Sequence, residues 1–190
     1  PPTNTLFPYT TLFRSGPFGG LSRFDWSTGQ SSDVSPRPPS GTGGDLRFNW
    51  NAPLIVSPQD AHIMYFAAQR VFRTDNDGAS WTTISPDLTV RSAARGAPSG
   101  TKEENRGVVY TIAPSPVRAG EIWTGSDNGV IQITTDEGKN WTDITPAGLP
   151  DWSRVSLIEA SRFDSATAYA AIDRHQMDDF HPYIDRKSVV

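Results

Sequence analysis

An eight-residue segment that occurs twice constrains the fold of this chain more than any other feature. Residues 74–81 and 134–141 both fit the pattern S/T-x-D/N-x-G-x-x-W, and their closing tryptophans, Trp81 and Trp141, lie 60 positions apart. We call these two stretches the box segments. A tail of an apolar residue, Ser or Thr, and Pro occurs before the first box segment and after each of them, at residues 34–36, 84–86 and 144–146. A repeat of this length predicts stacked units that bury their faces against one another.

The repeats are rich in strand-forming residues. Short runs of β-branched and aromatic residues are bounded by Pro, Gly, Asn and Asp, and no stretch has sustained helical spacing. We predict strands A, B and C at residues 53–56, 63–67 and 71–74 of one repeat and at 108–113, 121–124 and 130–134 of the next, with strand D beginning at the box tryptophan. The sequence Asp127-Asn128-Gly129 between strands B and C predicts a type I′ hairpin turn, because Asn-Gly tolerates positive φ.

Four strands in each repeat predict an all-β fold, a partial β-propeller of four-stranded antiparallel blades. The sequence divides into the end of one blade at 16–36, two nearly complete blades at 50–88 and 107–147, and the start of a fourth at 153–184. The chain has no cysteine, which excludes disulfides and thiolate metal sites. No stretch approaches the roughly 18 apolar residues of a membrane-spanning helix.

Both ends of the chain match the translation of one sequencing adapter. Residues 5–15, TLFPYTTLFRS, correspond to one strand of that oligonucleotide, and residues 185–190, DRKSVV, correspond to its reverse complement. We therefore expect residues 1–15 and 185–190 to be adapter sequence and the biological segment to be residues 16–184. Apolar residues in such ends imitate strand or signal sequence, so they are set aside in fold prediction.

The box segments are predicted to hold the turn between strands C and D. An Asp or Asn accepts backbone N–H groups of its own turn, a Gly takes a conformation that a Cβ forbids, and a Trp packs between blades. We assign this structural role to Thr74, Asn76, Gly78, Trp81, Thr134, Asp136, Gly138 and Trp141. Calcium binding or catalysis is the alternative role, although the further ligands of a calcium loop are missing after Gly78.

Propeller connectivity sorts the loops onto two faces. The A–B turns and the box segments share the box face, while the D–A crossings and B–C hairpins share the crossing face, where ligands usually bind. The crossings are predicted at residues 37–51, 87–107 and 147–153, and the hairpins at 69–70, 126–129 and 173–182. The crossing at 87–107 is long for a loop without structure of its own, which is typical of functional segments.

The crossing face carries the candidate ligand contacts. They are Trp50, Asp127, Asn128, Asp173, Arg174, His175, Asp178 and Asp179. Glycoside hydrolysis needs two facing carboxylates, and the catalytic candidates are Asp127, Asp173, Asp178 and Asp179. Sugar rings could stack on Trp50, Trp123 or Trp152, with interblade packing as the alternative. His175 and His181 do not have the spacing of a metal motif, so neither a metal nor another cofactor is predicted.

Several segments resemble a known group of proteins. The box segments match the Asp-box, or BNR, repeat of the β-propellers found in sialidases, sortilin-type receptors and two-propeller xyloglucanases. GPFGGL at 16–21, SPDLT at 85–89, GSDNG at 125–129, and DRH with DDF at 173–180 resemble large bacterial proteins with sortilin-like propellers, which are often labelled glycosyl hydrolases. The resemblance covers nearly all of residues 16–184 and implies the propeller fold, while the hydrolase label rests on that fold alone.

The leading hypothesis is a non-catalytic propeller that binds a protein, a peptide or a glycan on the crossing face. A glycoside hydrolase similar to the xyloglucanases and an architectural propeller in a multidomain protein are the alternatives. The formal net charge of −4, without a run of Lys or Arg, argues against nucleic acid as a partner and against insertion into or binding to anionic membranes. The other expected partners are the remaining blades of a longer parent chain, which we expect to be exported to the periplasm or beyond.

Overall fold

The computed structural model describes residues 11–38, 45–90 and 107–188, and these residues form four antiparallel sheets. The second and third sheets have four strands each, and the first and fourth have three. The strands are β1 (Thr11–Ser15), β2 (Leu21–Asp25) and β3 (Gln30–Asp33); β4 (Leu54–Val56), β5 (Met64–Ala67), β6 (Val71–Thr74) and β7 (Thr82–Thr83); β8 (Val109–Pro114), β9 (Ile122–Ser126), β10 (Ile131–Thr134) and β11 (Thr142–Asp143); and β12 (Arg154–Ala160), β13 (Thr167–Arg174) and β14 (Asp179–Ser188). Short 3-10 turns lie at Pro17–Gly19 and His175–Met177.

This arrangement confirms the predicted all-β fold, a partial propeller with two complete blades and parts of two others. Each sheet is a meander in which every strand pairs with the next one in the sequence. The first strands of the last two blades, β8 and β12, lie side by side, and Ile158 N–H donates to Thr111 Oγ1 at 3.2 Å between them. Neighbouring blades therefore meet along their first strands, which we call the inner strands, as blades do around the channel of a propeller.

Strands A to C lie within two residues of their predicted bounds, and strand D and the chain ends show further differences. Strand D begins one residue after the box tryptophan, and both β7 and β11 contain only two residues. At the chain ends, Thr11–Ser15 pair with Leu21–Asp25, and residues 185–188 extend β14, so these parts of the expected adapter ends lie in edge strands. Outside the described residues lie 1–10 and 189–190 of the same ends, and 39–44 and 91–106 of the predicted crossings.

The tail that follows strand D frees one carbonyl group for the next blade. In a regular antiparallel pair, Val71 and Ile84 would exchange two backbone hydrogen bonds. Only the bond from Ile84 N–H to the Val71 carbonyl forms, at 2.9 Å, because Val71 N–H donates to the Ser85 hydroxyl at 2.8 Å instead. The Ile84 carbonyl then accepts the indole N–H of Trp141, from the next blade, at 2.9 Å.

The same joint occurs one blade earlier. The Trp81 indole N–H donates to the Val34 carbonyl at 2.7 Å, while the Ser35 hydroxyl accepts Leu21 N–H at 2.8 Å. The glycine of each box segment packs at the same place, Gly78 against Val34 and Gly138 against Ile84. The tail and the box segment, which are separate repeats in the sequence, are therefore the two halves of one interblade joint.

Apolar residues of consecutive sheets form three buried clusters. Phe66 packs with Leu21 and Val34 of the first sheet. The second cluster, between the second and third sheets, contains Tyr65, Ala67, Val71, Leu88, Val109, Ile112 and Ile122. The third, between the third and fourth sheets, is centred on Trp123, which is only 1% exposed. Each blade thus obtains its core from the neighbouring blade, which is why the units stack.

Equivalent positions of the two box segments hold the same turn with different chemistry. Asn76 Oδ1 accepts Ser80 N–H at 3.0 Å, and Asp136 Oδ1 accepts Asn140 N–H at 2.9 Å. The Asn140 side chain also donates to Asp136 Oδ2 at 2.6 Å. These bonds, from the Asn140 side chain first and its backbone second, lower the pKa of Asp136 to about 2. Only the second box segment therefore holds its turn through a carboxylate.

We expect the Asn140 amide signal to titrate with a midpoint near pH 2 and the Ser80 amide signal to remain unchanged. Because the folded-state pKa of Asp136 lies below the unfolded value of about 3.9, the hydrogen bonds to its carboxylate are at full strength above that value and are lost as the pH falls through about 2. Amide NMR shifts recorded between neutral and acidic pH follow both signals. Asp136→Asn is the control that should abolish the titration, and a midpoint at the ordinary value would contradict the prediction.

Candidate functional site

The hairpin between β9 and β10, residues 126–129, is hydrogen-bonded to all three crossings. Asn49 of the first crossing donates from Nδ2 to Asp127 Oδ2 at 3.4 Å. Asn128 donates from its side chain to the carbonyl of Thr89, in the second crossing, at 2.8 Å. The Asn128 carbonyl accepts the N–H of Trp152, in the third crossing, at 3.2 Å. The described part of the crossing face is therefore organised around this one hairpin.

The turn of this hairpin is not the predicted type I′ turn. Gly129 N–H donates to the Ser126 carbonyl at 3.3 Å, and Gly129 has a φ of +93°, whereas neither Asp127 nor Asn128 has a positive φ. A type I′ turn needs positive φ at both central residues, and this pattern is instead that of a type I turn followed by a left-handed glycine. The Asn128 side chain holds the turn in this form, because it bonds to the Ser126 hydroxyl as well as to the Thr89 carbonyl.

The carboxylate of Asp127 is partly buried and accepts a hydrogen bond on each oxygen. Oδ1 accepts Val108 N–H at 2.8 Å, and Oδ2 accepts the side-chain N–H of Asn49. Burial raises the pKa of Asp127 above its ordinary value, and these two hydrogen bonds oppose the rise. A carboxyl group with a raised pKa is better suited than an ordinary one to hold a proton.

A second carboxylate interacts electrostatically with an arginine that also acts on Asp127. Arg154, at the start of β12, has its guanidinium carbon 5.2 Å from the Tyr110 ring centroid and its Nη1 3.7 Å from Asp173 Oδ2. The backbone N–H and then the ring of His175, whose Nδ1 lies 2.6 Å from Asp173 Oδ2, lower the pKa of Asp173. The charge of Arg154 also opposes the rise in the pKa of Asp127. Asp127 and Asp173 therefore both interact with Arg154 and have pKa values shifted in opposite directions.

The remaining candidates lie along the β13–β14 hairpin, where Arg174 Nη1 also donates to Ser153 Oγ of the third crossing at 2.6 Å. Arg174 Nε lies 3.2 Å from Asp179 Oδ2, and Tyr183 Oη donates to the same oxygen at 2.7 Å. The hydrogen bond from Tyr183, followed by those from His181, lowers the pKa of Asp179. Asp178 lies exposed at the tip with a φ of +55°. The side chain of Asp179 is thus engaged in pairing the two strands.

This hairpin is shorter than the loop predicted at residues 173–182. Arg174 pairs with Asp179 in the strand register, and β14 begins at Asp179. The polar composition suggested a loop, but a left-handed Asp178 completes a tight turn after the 3-10 segment His175–Met177. Asp179 and His181 are therefore strand residues.

The three tryptophans considered for sugar stacking lie in different environments. Trp50 is 65% exposed and packs edge-on against Phe18, with ring centroids 5.6 Å apart and planes at 78°. Trp152 is 40% exposed and has a φ of +58°. Trp123 is 1% exposed and donates from Nε1 to Glu121 at 3.3 Å. Trp50 and Trp152 are therefore available to a ligand, whereas Trp123 is a core residue.

Sequence reasoning missed three residues of this site. Asn49 lies in the first crossing, Tyr110 is the second residue of β8, and Arg154 is the first residue of β12. Nothing in the local sequence distinguishes them from other polar residues. Arg154 directly follows the predicted third crossing, and this position next to the crossing face was the signal that could have identified it.

The described ranges show no metal-binding cluster and no helix that could span a membrane. Across residues 11–38, 45–90 and 107–188, no three His, Asp or Glu side chains converge to form a metal-binding group. None of the helical turns in these ranges is long and apolar enough to cross a membrane.

The chain is similar in sequence to a curated protein. No protein-family model matches the chain. A probable oligoxyloglucan-reducing end-specific xyloglucanase from Neosartorya fischeri is 26% identical over 98 residues, which make up 52% of this chain and 12% of that protein. This chain therefore spans about an eighth of the curated relative that it matches.

Solved structures with a similar fold include β-propellers. The Dos1 propeller has a TM-score of 0.57 at 14% identity, over 94% of this chain and 44% of that one. The Cps50 (Swd1) β-propeller domain of Myceliophteria thermophila has a TM-score of 0.54 at 13% identity, over 95% and 50%. The computationally designed Ika4 protein has a TM-score of 0.53 at 13% identity, over 97% and 88%. At such identities the likeness concerns the fold alone.

Proposed function

We propose that this chain is part of a sortilin-like Asp-box propeller that binds neutral glycans on its crossing face without cleaving them. The observation that carries the proposal is the pair of exposed tryptophans, Trp50 and Trp152, on crossings that are joined through one hairpin. An indole offers a flat apolar surface on which the C–H face of a sugar ring can stack, and its orientation costs little conformational entropy when the backbone is fixed.

The polar groups beside these tryptophans suit a neutral sugar. Asp173 and Arg154 provide acceptors and donors, the carboxylate of Asp127 adds negative charge, and His175 adds an imidazole that is half exposed. Ligand sites commonly combine an aromatic surface with a few placed polar groups of this kind. Two carboxylates against one guanidinium repel an acidic sugar, so we assign the site to neutral glycans of the β-glucan type.

Trp50→Ala and Trp152→Ala are each expected to weaken binding of xyloglucan oligosaccharides by about tenfold or more, as loss of an aromatic anchor does. Trp26→Ala is the matched control, because Trp26 is 64% exposed but lies in the β2–β3 turn, which corresponds to the box face. Isothermal titration with the purified chain measures the three affinities. Equal effects of all three substitutions, or none, would contradict the proposed site.

Glycoside hydrolysis is the second candidate function. The opposite pKa shifts of Asp127 and Asp173 on either side of Arg154 favour it, since an acid and a nucleophile need such a difference. The similarity to a xyloglucanase points the same way. Release of reducing ends during the same titrations, abolished by Asp173→Asn, would replace the binding proposal with this one.

A further inference from the structure

The side-chain amide of Asn49 connects the hairpin to the exposed tryptophan. Its Nδ2 donates to Asp127 Oδ2 at 3.4 Å, and its Oδ1 accepts the backbone N–H of Trp50 at 2.6 Å. The direction of these two hydrogen bonds is fixed by chemistry, because a backbone N–H can only donate and an ionised carboxylate can only accept. An amide with one donor end and one acceptor end is the group that links the two.

We propose that Asp127 is a positioning residue that sets the backbone of Trp50 through the Asn49 amide, and that it does not contact the ligand. The proposal rests on the proposed glycan site. Both oxygens of Asp127 already accept protein hydrogen bonds, one from Val108 N–H at 2.8 Å and one from Asn49. The hydrogen bond from Val108 N–H holds the Asp127 carboxylate at the start of the third blade. Through Asn49, Asp127 therefore fixes the position of the first crossing relative to the third blade.

The positioning role predicts a specific failure when Asp127 becomes an amide. In Asp127→Asn, the new side chain must keep its oxygen toward Val108 N–H, which turns its NH2 toward the NH2 of Asn49. Asn49 can accept from this NH2 group only if its own side-chain amide rotates, and the rotation leaves Trp50 N–H without its acceptor. In Asn49→Asp, two carboxylates face each other instead, which is also unfavourable.

The exchanged pair is the decisive variant. In the double substitution Asn49→Asp with Asp127→Asn, the carboxylate at position 49 accepts both from the amide at position 127 and from Trp50 N–H, while the oxygen at position 127 still accepts Val108 N–H. Every hydrogen bond is restored, and only the position of the charge has changed. A group that acts on the ligand directly would not tolerate this exchange.

We expect Asp127→Asn and Asn49→Asp each to weaken binding of xyloglucan oligosaccharides on the order of tenfold, and the exchanged pair to return it to within about twofold of the original chain. In a Trp50→Ala background, Asp127→Asn should produce no further loss of affinity. Failure of the exchanged pair to recover, with its melting temperature unchanged, would overturn the proposal and assign Asp127 to ligand contact. An undiminished effect in the Trp50→Ala background would overturn it as well.

A measurement without ligand separates this proposal from the glycan site. Hydrogen exchange of the Trp50 backbone N–H should accelerate in each single variant and slow again in the exchanged pair. If the original chain binds no glycan but the exchange rates follow this order, the proposed function fails and the link from Asp127 to Trp50 stands. If the exchange rates are equal in all four chains, the positioning role is wrong whatever the chain binds.

Discussion

Replacing Gly138 with alanine is expected to lower the free energy of unfolding by about 3 kcal/mol or more, because it combines backbone strain with overpacking. Gly138 has a φ of +89°, and a Cβ there would collide with the Ile84 carbonyl oxygen and lie 2.9 Å from the Ile84 Cβ. The same carbonyl accepts the indole N–H of Trp141 at 2.9 Å. A shift of Ile84 that relieves the collision would therefore weaken the joint between the second and third blades.

Gly148→Ala is the control that separates strain from collision. Gly148 also has a positive φ, +83°, but a Cβ there would meet nothing within 4 Å. Its substitution should cost only the backbone term, about 1 to 2 kcal/mol. Urea unfolding of the two variants gives the difference directly, and equal costs would mean that Gly138 and Ile84 are not in contact in solution.

Replacing Phe66 with alanine is expected to cost about 3 to 5 kcal/mol, the range for a large aromatic residue removed from a core. Phe66 has no exposed surface, and its ring centroid lies 5.9 Å from that of Phe48 and 6.0 Å from that of Trp81. These rings belong to the first crossing and to a box segment, so the cavity would loosen three parts of the molecule at once. Near-ultraviolet circular dichroism should lose the Trp81 signal as the free energy of unfolding falls.

Phe163→Ala is the matched control for this substitution. Phe163 is 97% exposed in the turn after β12, and its removal should change the free energy of unfolding by less than about 0.5 kcal/mol. A cost below about 1 kcal/mol for Phe66→Ala would contradict the prediction, since it would indicate that the ring is not enclosed as described.

The repeated tail shows why the fold could be predicted from the sequence. Ser85 and Pro86 follow an apolar residue just as Thr145 and Pro146 do, and the box tryptophans have the same spacing as these tails. Residues that form one joint must recur together whenever the joint recurs, so spacing in the sequence carries information about contacts between blades. Turn geometry was less accessible, because the type I turn at Asp127 depends on bonds to residues in other crossings.

The candidate site depended on contacts that no local pattern encodes. Sequence reasoning grouped Asp173 with Asp179 because they are close in the chain. In the structure, Asp173 forms an ion pair with Arg154, and Asp179 forms one with Arg174. It also treated Trp50 and Trp123 alike, although one is 65% exposed and the other 1%. Exposure depends on what the neighbouring blade covers, and composition does not record this.

The sequence by itself determined the class of fold, the repeat unit and the residues that join one blade to the next, because these interactions recur at a fixed spacing and leave a periodic trace. Only the tertiary structure decided which polar groups meet at the crossing face. The first crossing supplies Asn49, the third blade supplies Asp127, and the fourth blade supplies Arg154 and Asp173, which pair across β12 and β13. These residues occur once each, so their meeting follows from the way the blades are arranged around one another and has no counterpart in any repeat.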